Sequence, residues 1–139
     1  MIKKIENLAK AYNTLNADLF EPLLVNDFTY ESQMVFGCME GKADFMEYIK
    51  GKFNAIKKSS AWIYAEIGYS TYNNSNLPIE ELMENGNPCL IMAQSDKSNI
   101  SALLMPEFNC EGKIIRMDMC GITPHWSTAK RTGIYPGLE

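Results

Sequence analysis

The sequence predicts an α+β domain in which N-terminal helices pack on a strongly curved antiparallel sheet and form a cone around a pocket. Two observations carry this prediction. Apolar residues recur at helical spacing before residue 58, whereas strand-like alternation dominates after residue 60. Between these regions, residues 30–53 run from a half-polar strand through a glycine turn directly into an amphipathic helix. This order favours helices that cover one face of an antiparallel sheet.

Helical spacing marks three segments in the first half of the chain. Residues 3–13 and 42–57 each carry an apolar stripe with a period of 3.6 residues. Residues 18–25 predict a shorter helix, in which Pro22 fits only the first turn or a kink because proline lacks a backbone N–H. Gly51 lies inside the third helix, where glycine costs ~1 kcal/mol relative to alanine. We therefore expect Gly51 to pack closely against a neighbouring element.

Alternating polarity and turn residues mark the strands. The predicted strands cover residues 28–36, 61–72, 89–95, 99–110 and 113–120. A turn bracketed by Gly37 and Gly41 follows the first strand. After the second strand, residues 73–76 predict a turn and residues 78–84 a short helix.

The length and composition are those of a one-domain globular protein. With 139 residues, 46% hydrophobic and 22% charged, a single core can bury most of the apolar surface. The last residues show little periodicity. We therefore predict a single domain over residues 1–122 and a C-terminal tail over residues 123–139.

The charge pattern argues against nucleic acid and membrane partners. The formal net charge is -4, and the basic residues form only short, scattered pairs, whereas a nucleic-acid surface needs clustered lysine and arginine. No apolar run approaches the ~20 residues of a membrane-spanning helix. The N-terminus is charged throughout and lacks the apolar block of a signal peptide. We therefore expect a cytoplasmic protein with no nucleic-acid or membrane partner.

Cysteine and histidine content argues against a metal site. Cys38, Cys89, Cys110 and Cys120 show no CxxC spacing, and His125 is the only histidine. In a reducing compartment we expect four free thiols. The pattern predicts neither a metal nor a cofactor.

Three short motifs follow one another along the chain. Asp27-Phe28 begins the first strand, Gly41-Lys42 opens the helix that contains Phe45, and Gly112-Lys113-Ile114-Ile115-Arg116 opens the last strand. Over residues 3–122 this order resembles the NTF2-like superfamily, which includes ketosteroid isomerases, SnoaL-type cyclases and limonene-epoxide hydrolase. The resemblance implies the cone-shaped NTF2-like, or cystatin-like, fold. It implies no particular reaction, because function depends on the site rather than on the fold.

The first candidate site is the pair Arg116 and Asp118 on the last strand. Residues two apart in a strand share a face, so the arginine can hold the carboxylate in its charged form. Such a catalytic pair can orient a water or bind a polar substrate group, with Glu31 or Glu66 as a second acid. Limonene-epoxide hydrolase, in the superfamily that the chain resembles, uses an Arg-x-Asp pair on an earlier strand. The alternative is an ion pair on the sheet surface.

The second candidate site is a set of aromatic and polar side chains on the strands. Its members are Tyr30, Ser32, Trp62, Tyr64 and Gln94. Aromatic rings with a polar tip suit a small apolar or amphipathic ligand, so we expect these residues to line the pocket. The alternative is packing in the core and at a dimer face.

An isomerase-like arrangement is incomplete in the sequence. Ketosteroid isomerases, by the resemblance, place a general-base aspartate just after the first long strand, where this chain has Glu40. Tyr12 could donate to an oxyanion, but its place on the first helical stripe favours core packing. His125 precedes Trp126, and we expect this step to anchor the tail.

Two function hypotheses follow. The first is a small-molecule-binding protein, with cofactor-independent isomerase or hydrolase activity left open. The second is a non-catalytic dimerisation or partner-binding module. The strand over residues 61–72 and the hairpin that follows carry apolar residues on both faces, so we expect a homodimer that buries the outer face of the sheet.

Overall fold

Two α-helices lie on one face of a seven-stranded sheet in the computed structural model, which describes residues 2–33, 35–70, 87–121 and 129–138. The elements in chain order are α1 (Ile2–Asn13), a 3₁₀ helix (Ala17–Phe20), β1 (Leu24–Ser32), β2 (Val35–Glu40), α2 (Lys42–Lys58), β3 (Ile63–Ser70), β4 (Asn87–Gln94), β5 (Ile100–Phe108), β6 (Ile114–Cys120) and β7 (Ala129–Arg131). We call the sheet face that the helices cover the inner face, and the opposite one the outer face. The predicted α+β architecture, with helices on a curved and mostly antiparallel sheet, is confirmed.

The strand order places β1, from the first half of the chain, beside β6 from the second half. The order is β2-β1-β6-β5-β4-β3-β7, and every neighbouring pair is antiparallel except β1 and β6. The parallel pair places Tyr30 beside Met117 and Ser32 beside Met119. Four of the six pairs contain a register shift. Such bulges bend strands and increase their twist, which curves the sheet around the helices.

An aromatic cluster joins the helices to the inner face. Tyr12 of α1 and Phe45 and Phe53 of α2 are buried because they lie on the apolar stripes of their helices. The Phe20 ring lies 5.3 Å from Tyr12 and 5.3 Å from Phe45, edge to face in both pairs. Phe28 of β1 lies 5.0 Å from Phe45. Each such pair stabilises by about 0.5–1.5 kcal/mol beyond the area that it buries, so the cluster fixes α1, α2 and β1 relative to one another.

The two long predicted helices are confirmed, whereas the predicted helix over residues 18–25 is wrong. Only Ala17–Phe20 forms a helical turn, of the 3₁₀ type, before β1 begins. Pro22 cannot donate the N–H that a continuing helix needs. The Leu23 carbonyl instead accepts from the Ile114 N–H at 2.7 Å, so the sheet takes up the end of the predicted helix.

The predicted strand over residues 28–36 is two strands in the structure. β1 ends at Ser32, and β2 begins at Val35 and runs back beside it. Gly37 therefore lies inside β2 rather than at a turn. The turn into α2 falls at Gly41, whose φ of 100° is readily adopted only by glycine. Polar and apolar residues keep alternating across the break, so the pattern alone does not reveal it.

The later strands lie where the alternation predicts them, with ends that differ by at most two residues. The turn and helix predicted over residues 73–76 and 78–84 lie outside the described residues, as does His125. No helix in the described part of the chain is long and apolar enough to cross a membrane.

The Gly51 position is open rather than closely packed. A Cβ atom built on Gly51 would meet no atom within 4 Å, and the residue is exposed on α2. The predicted close packing is therefore wrong, and no contact within the described chain compensates for the glycine.

A buried carboxylate fixes the C-terminal residues against β3. The Glu66 side chain is 2% exposed and accepts from Arg131 Nε at 2.8 Å, the Gly133 N–H at 2.7 Å and the Tyr135 hydroxyl at 3.2 Å. A buried charge is stable only when it is paired and hydrogen-bonded, and these three donors meet that requirement. Residues 129–131, within the predicted tail, form β7 at the sheet edge. The boundary of the domain stays a prediction.

The same edge of β3 is closed by α1. The Asn13 side chain accepts from the Ala65 N–H at 2.6 Å and donates to the carbonyls of Ala65 at 2.9 Å and Pro136 at 2.8 Å. The Ile67 N–H donates to the Ile134 carbonyl at 3.0 Å. Unpaired strand edges are templates for association, so these bonds block that route on this side of the sheet.

Apolar residues on the outer face are already buried within one chain. Cys89, Ile91, Leu103, Met105 and Cys120 form a second core cluster, and none is more than 6% exposed. They need no partner subunit to leave water, and the homodimer stays a prediction. All four cysteines are free, with Cys38 and Cys110 exposed at the surface.

Replacing Gly51 with alanine should stabilise the protein. The open space around Gly51 accepts a methyl group, so we expect a gain of up to ~1 kcal/mol in the free energy of unfolding from helix propensity. Urea unfolding measures it. Gly68→Ala is the contrasting variant. Its Cβ would lie 2.7 Å from Ile91 Cδ1 and 3.2 Å from the Lys130 carbonyl, so we expect this variant to lose stability. A loss of stability in Gly51→Ala would contradict the open position.

Replacing Glu66 with glutamine should loosen the C-terminal residues. A glutamine has one acceptor oxygen, so Arg131 and Gly133 can no longer both be satisfied, at a cost on the order of 2 kcal/mol. Hydrogen exchange at the Gly133 and Ile67 amides should accelerate. Glu31→Gln, whose side chain is 50% exposed, is the control and should leave both amides protected. Unchanged exchange in Glu66→Gln would show that the carboxylate does not hold this segment.

Candidate functional site

A small cavity lies between the helices and the inner face of the sheet. Its volume is about 100 Å³. The lining residues come from both helices and from five stretches of strand, and they are Tyr12, Tyr30, Ser32, Tyr48, Lys52, Ile63, Met92, Ala93, Gln94, Ser101, Ala102 and Met119. Aromatic and polar side chains therefore both line the cavity.

Local periodicity explains why these side chains converge. Tyr30 and Ser32 are two apart in β1 and therefore share the inner face, as Met92 and Gln94 do in β4. On α2, Tyr48 and Lys52 are one helical turn apart and lie on the same side. The closed end is buried, whereas Gln94 is exposed, so the cavity opens to solvent at the Gln94 end.

Tyrosine hydroxyls from three elements meet in the cavity. The Tyr30 hydroxyl is hydrogen-bonded to Tyr48 and Ser32, and the rings of Tyr30 and Tyr48 lie 5.9 Å apart. Burial, and then the neighbouring Tyr48, raise the pKa of Tyr30. Burial also raises the pKa of Tyr12 well above its usual value, with smaller effects from Tyr30 and Tyr48. Tyr12 and Tyr30 are therefore neutral hydroxyls near pH 7.

One cation lies in the cavity lining. Lys52 is half-buried, and its Nζ lies 5.9 Å from the centre of the Tyr48 ring. Among the described residues Lys52 has no ion pair with a carboxylate, whereas Lys42 on the same helix pairs with Glu21 at 2.9 Å. Lys52 therefore brings one positive charge to the cavity lining, while Asp44 and Glu47 line the surface groove that it shares with Tyr48.

Three of the five residues predicted to bind a ligand lie in the cavity lining and two do not, and their role in binding stays a prediction. Tyr30, Ser32 and Gln94 line the cavity as predicted, whereas Trp62 and Tyr64 do not. In β3 the inward position belongs to Ile63, so Tyr64 points outward, where its ring lies 6.4 Å from that of Tyr135. Trp62 precedes β3 and packs at the edge of the main core.

Arg116 and Asp118 lie on the outer face and do not line the cavity, which is the surface arrangement that the sequence analysis gives as the alternative. Their neighbours Met117 and Met119 point inward into the main core. Because successive side chains in a strand point to opposite faces, Arg116 and Asp118 point outward. Arg116 donates to Asp118 through Nε at 3.0 Å and Nη2 at 2.8 Å, and Nη2 lies 3.0 Å from Glu31 Oε1. The three form a surface ion-pair network.

The other acids proposed from sequence also lie away from the cavity. Glu66 is committed to the C-terminal residues. Glu40 is exposed and paired with Thr29 in the register of β1 and β2. Within the described ranges, no cluster of three or more His, Cys, Asp or Glu side chains could hold a metal ion.

Tyr12, Tyr48 and Lys52 are among the lining residues that the sequence does not predict as part of the pocket. Tyr12 is both buried and part of the lining. The spacing of Tyr48 and Lys52 on α2 is a usable signal, because residues four apart on a helix share a side.

Several solved structures are similar to the chain. A SnoaL-like protein of unknown function from Burkholderia thailandensis E264 has a TM-score of 0.57 and 12% identity, over 91% of this chain and 89% of that one. A protein of unknown function with a cystatin-like fold from Methylobium petroleophilum PM1 has a TM-score of 0.57 and 10% identity, over 95% and 84%. SalBIII, an epoxide hydrolase/cyclase-like enzyme in pyran ring formation in the polyether salinomycin, has a TM-score of 0.52 and 17% identity, over 94% and 96%.

The chain therefore has the NTF2-like, cystatin-like fold that the sequence resemblance implied. At these identities the likeness shows the fold alone. No model of a known protein family matches the chain, and no curated protein matches it either.

Replacing Arg116 with glutamine should raise the pKa of Glu31. The Arg116 guanidinium, by its hydrogen bond and then by its charge, holds the pKa of Glu31 below its usual value. The stability that this pair contributes is present above the unfolded-state pKa of ~4.3 and is lost as the pH falls through the lower folded-state pKa. An NMR titration of the Glu31 side chain measures the shift, with Lys57→Gln as a distant control. An unchanged Glu31 pKa in Arg116→Gln would refute the network.

Proposed function

We propose that this protein binds a small molecule, mainly apolar with a polar head, in the cavity on the inner face. The observation that carries the proposal is the convergence of tyrosines from α1, β1 and α2 on one space between the helices and the sheet. An apolar pocket with a few convergent polar groups is the usual form of a ligand site. Here Met92 and Met119 supply adaptable apolar walls.

The cavity volume limits the ligand. About 100 Å³ is below the ~300 Å³ at which pockets for drug-sized ligands begin. It is also below the ~150 Å³ of an engineered cavity that holds benzene. The enclosed part of the ligand therefore has only a few non-hydrogen atoms, and any longer part extends past the mouth.

The lining supports binding better than hydrolysis or isomerisation. Among the described lining residues the polar side chains are hydroxyls, one amide and one ammonium, with no carboxylate, imidazole or thiol. A hydrolase or isomerase needs a base that activates water or abstracts a proton. Arg116 and Asp118 lie on the other face of the sheet and cannot serve a ligand in this cavity.

A dimerisation or partner-binding module, the alternative from sequence, has less support. It depended on excess apolar surface on the sheet. On the outer face of the described chain Ile91, Leu103 and Met105 are buried within one molecule.

Replacing Tyr30 with phenylalanine should weaken binding while the fold is kept. The change removes one hydroxyl from the cavity and leaves the ring in the aromatic cluster, so we expect a loss on the order of 1 kcal/mol, or several-fold in Kd. The probes are alcohols, amides, ketones and carboxylates of up to about six non-hydrogen atoms. The readout is the NMR shift of the Met92 and Met119 methyl groups.

Tyr64→Phe is the matched control, because the same atom is removed on the outer face. It should leave every Kd unchanged. If no probe shifts Met92 or Met119 at concentrations up to tens of millimolar, the proposed binding function is wrong.

A further inference from the structure

The cavity has one end that is apolar and one that carries a positive charge. Ile63, Met92 and Ala102 are buried along its walls. Lys52 is half-buried in the lining, with its Nζ 5.9 Å from the centre of the Tyr48 ring, and Gln94 is exposed. A ligand that satisfies both ends has an apolar body and a head that accepts hydrogen bonds.

The charge of the lining residues indicates which kind of ligand head group fits best. Lys52 carries the only ammonium among the described lining residues, and none of them carries a carboxylate. An ammonium without a carboxylate partner favours an anion and repels a cation. One ammonium balances one negative charge, so a monoanion fits this lining better than a phosphate dianion.

The hydrogen-bond donors in the lining also favour a monoanion. Tyr48 brings a hydroxyl to the cavity lining and has the Lys52 ammonium 5.9 Å from its ring centre, and the Tyr30 hydroxyl is hydrogen-bonded to Tyr48. Hydroxyl and ammonium donors make short, charge-assisted hydrogen bonds to carboxylate oxygens. Hydrogen-bonded chains of this kind polarise one another and strengthen the terminal donor.

We infer that the ligand of this cavity is a small monocarboxylate, with its apolar body among Ile63, Met92 and Ala102 and its carboxylate between Lys52 and Tyr48. The inference rests on the proposed binding function and adds the chemical class of the ligand. The enclosed volume of about 100 Å³ suits a short-chain acid.

The test compares probes of nearly equal shape and different charge. Propionate, propionamide and propylamine are titrated into the full chain in a buffer free of carboxylates, and the Met92 and Met119 methyl shifts are followed. We expect a Kd on the order of millimolar for propionate, since a ligand of five non-hydrogen atoms has a low affinity ceiling. Propionamide should bind about tenfold more weakly at low salt, and propylamine should not bind. Raising the ionic strength to 1 M should shrink the difference between propionate and propionamide.

Lys52→Gln separates charge recognition from cavity binding. It should reduce the propionate-to-propionamide affinity ratio to about one while propionamide binding is kept. Lys50→Gln is the matched control, because Lys50 is on the same helix but lines a different groove with Thr14 and Asn54. That variant should keep the wild-type ratio.

The outcomes distinguish the two proposals. Equal binding of propionate and propionamide by the unmodified protein, or an unchanged ratio in Lys52→Gln, would overturn the carboxylate inference and leave the binding function standing. Tighter binding of propylamine would do the same. Failure of every probe to shift the methyl groups would overturn both.

Discussion

The structure depends on the contacts among aromatic rings that hold α2 against β1. The Phe45 ring lies 5.3 Å from Phe20, 5.0 Å from Phe28 and 5.2 Å from Tyr30, so one side chain joins the 3₁₀ helix, the helix and the strand. Ring pairs of this kind have preferred geometries and cannot slide freely. The positions of Tyr30 and Tyr48 at the cavity are therefore set by the packing of phenylalanines that carry no polar group. A change in the core packing would therefore also change the geometry of the cavity.

Among the described residues, two clusters of charged side chains outside the cavity are held in ion pairs, whereas the lysine in the cavity lining is not. Arg116 is neutralised by two carboxylates on the outer face, and the buried Glu66 by Arg131 and two further donors. In both clusters each charged group has a partner of opposite charge, which offsets the cost of removing charge from water. Lys52 has no such carboxylate among the described residues, and it stands where the sheet curvature leaves space. The contrast explains why the cavity, rather than either ion-pair cluster, is the candidate site.

Sequence patterns predict helices and strands from their local periodicity. They do not predict which of the two alternating sets of side chains in a strand points to the inner face. The sequence predicts that Tyr30 lines the cavity, because the side chains around it in β1 alternate between the two faces. The sequence predicts the wrong face for Tyr64 and leaves the face of Asp118 open. Strands with apolar residues on both sides do not reveal which parity points inward, and a shift of one residue exchanges the faces. Lys52 was missed because a lysine on a helix is usually solvated. Glu66 could not be understood from sequence, because its partners lie 65 to 69 residues further along the chain.

Intermolecular nuclear Overhauser effects between ¹³C-labelled propionate and the protein test whether a carboxylate ligand occupies the inner-face cavity. We expect contacts from the propionate methyl group to the side-chain methyls of Met92, Met119 and Ala102, which line the cavity together. Contacts only to Met39, which lines a groove on the surface of α2, would contradict it, as would the absence of any contact at saturating ligand.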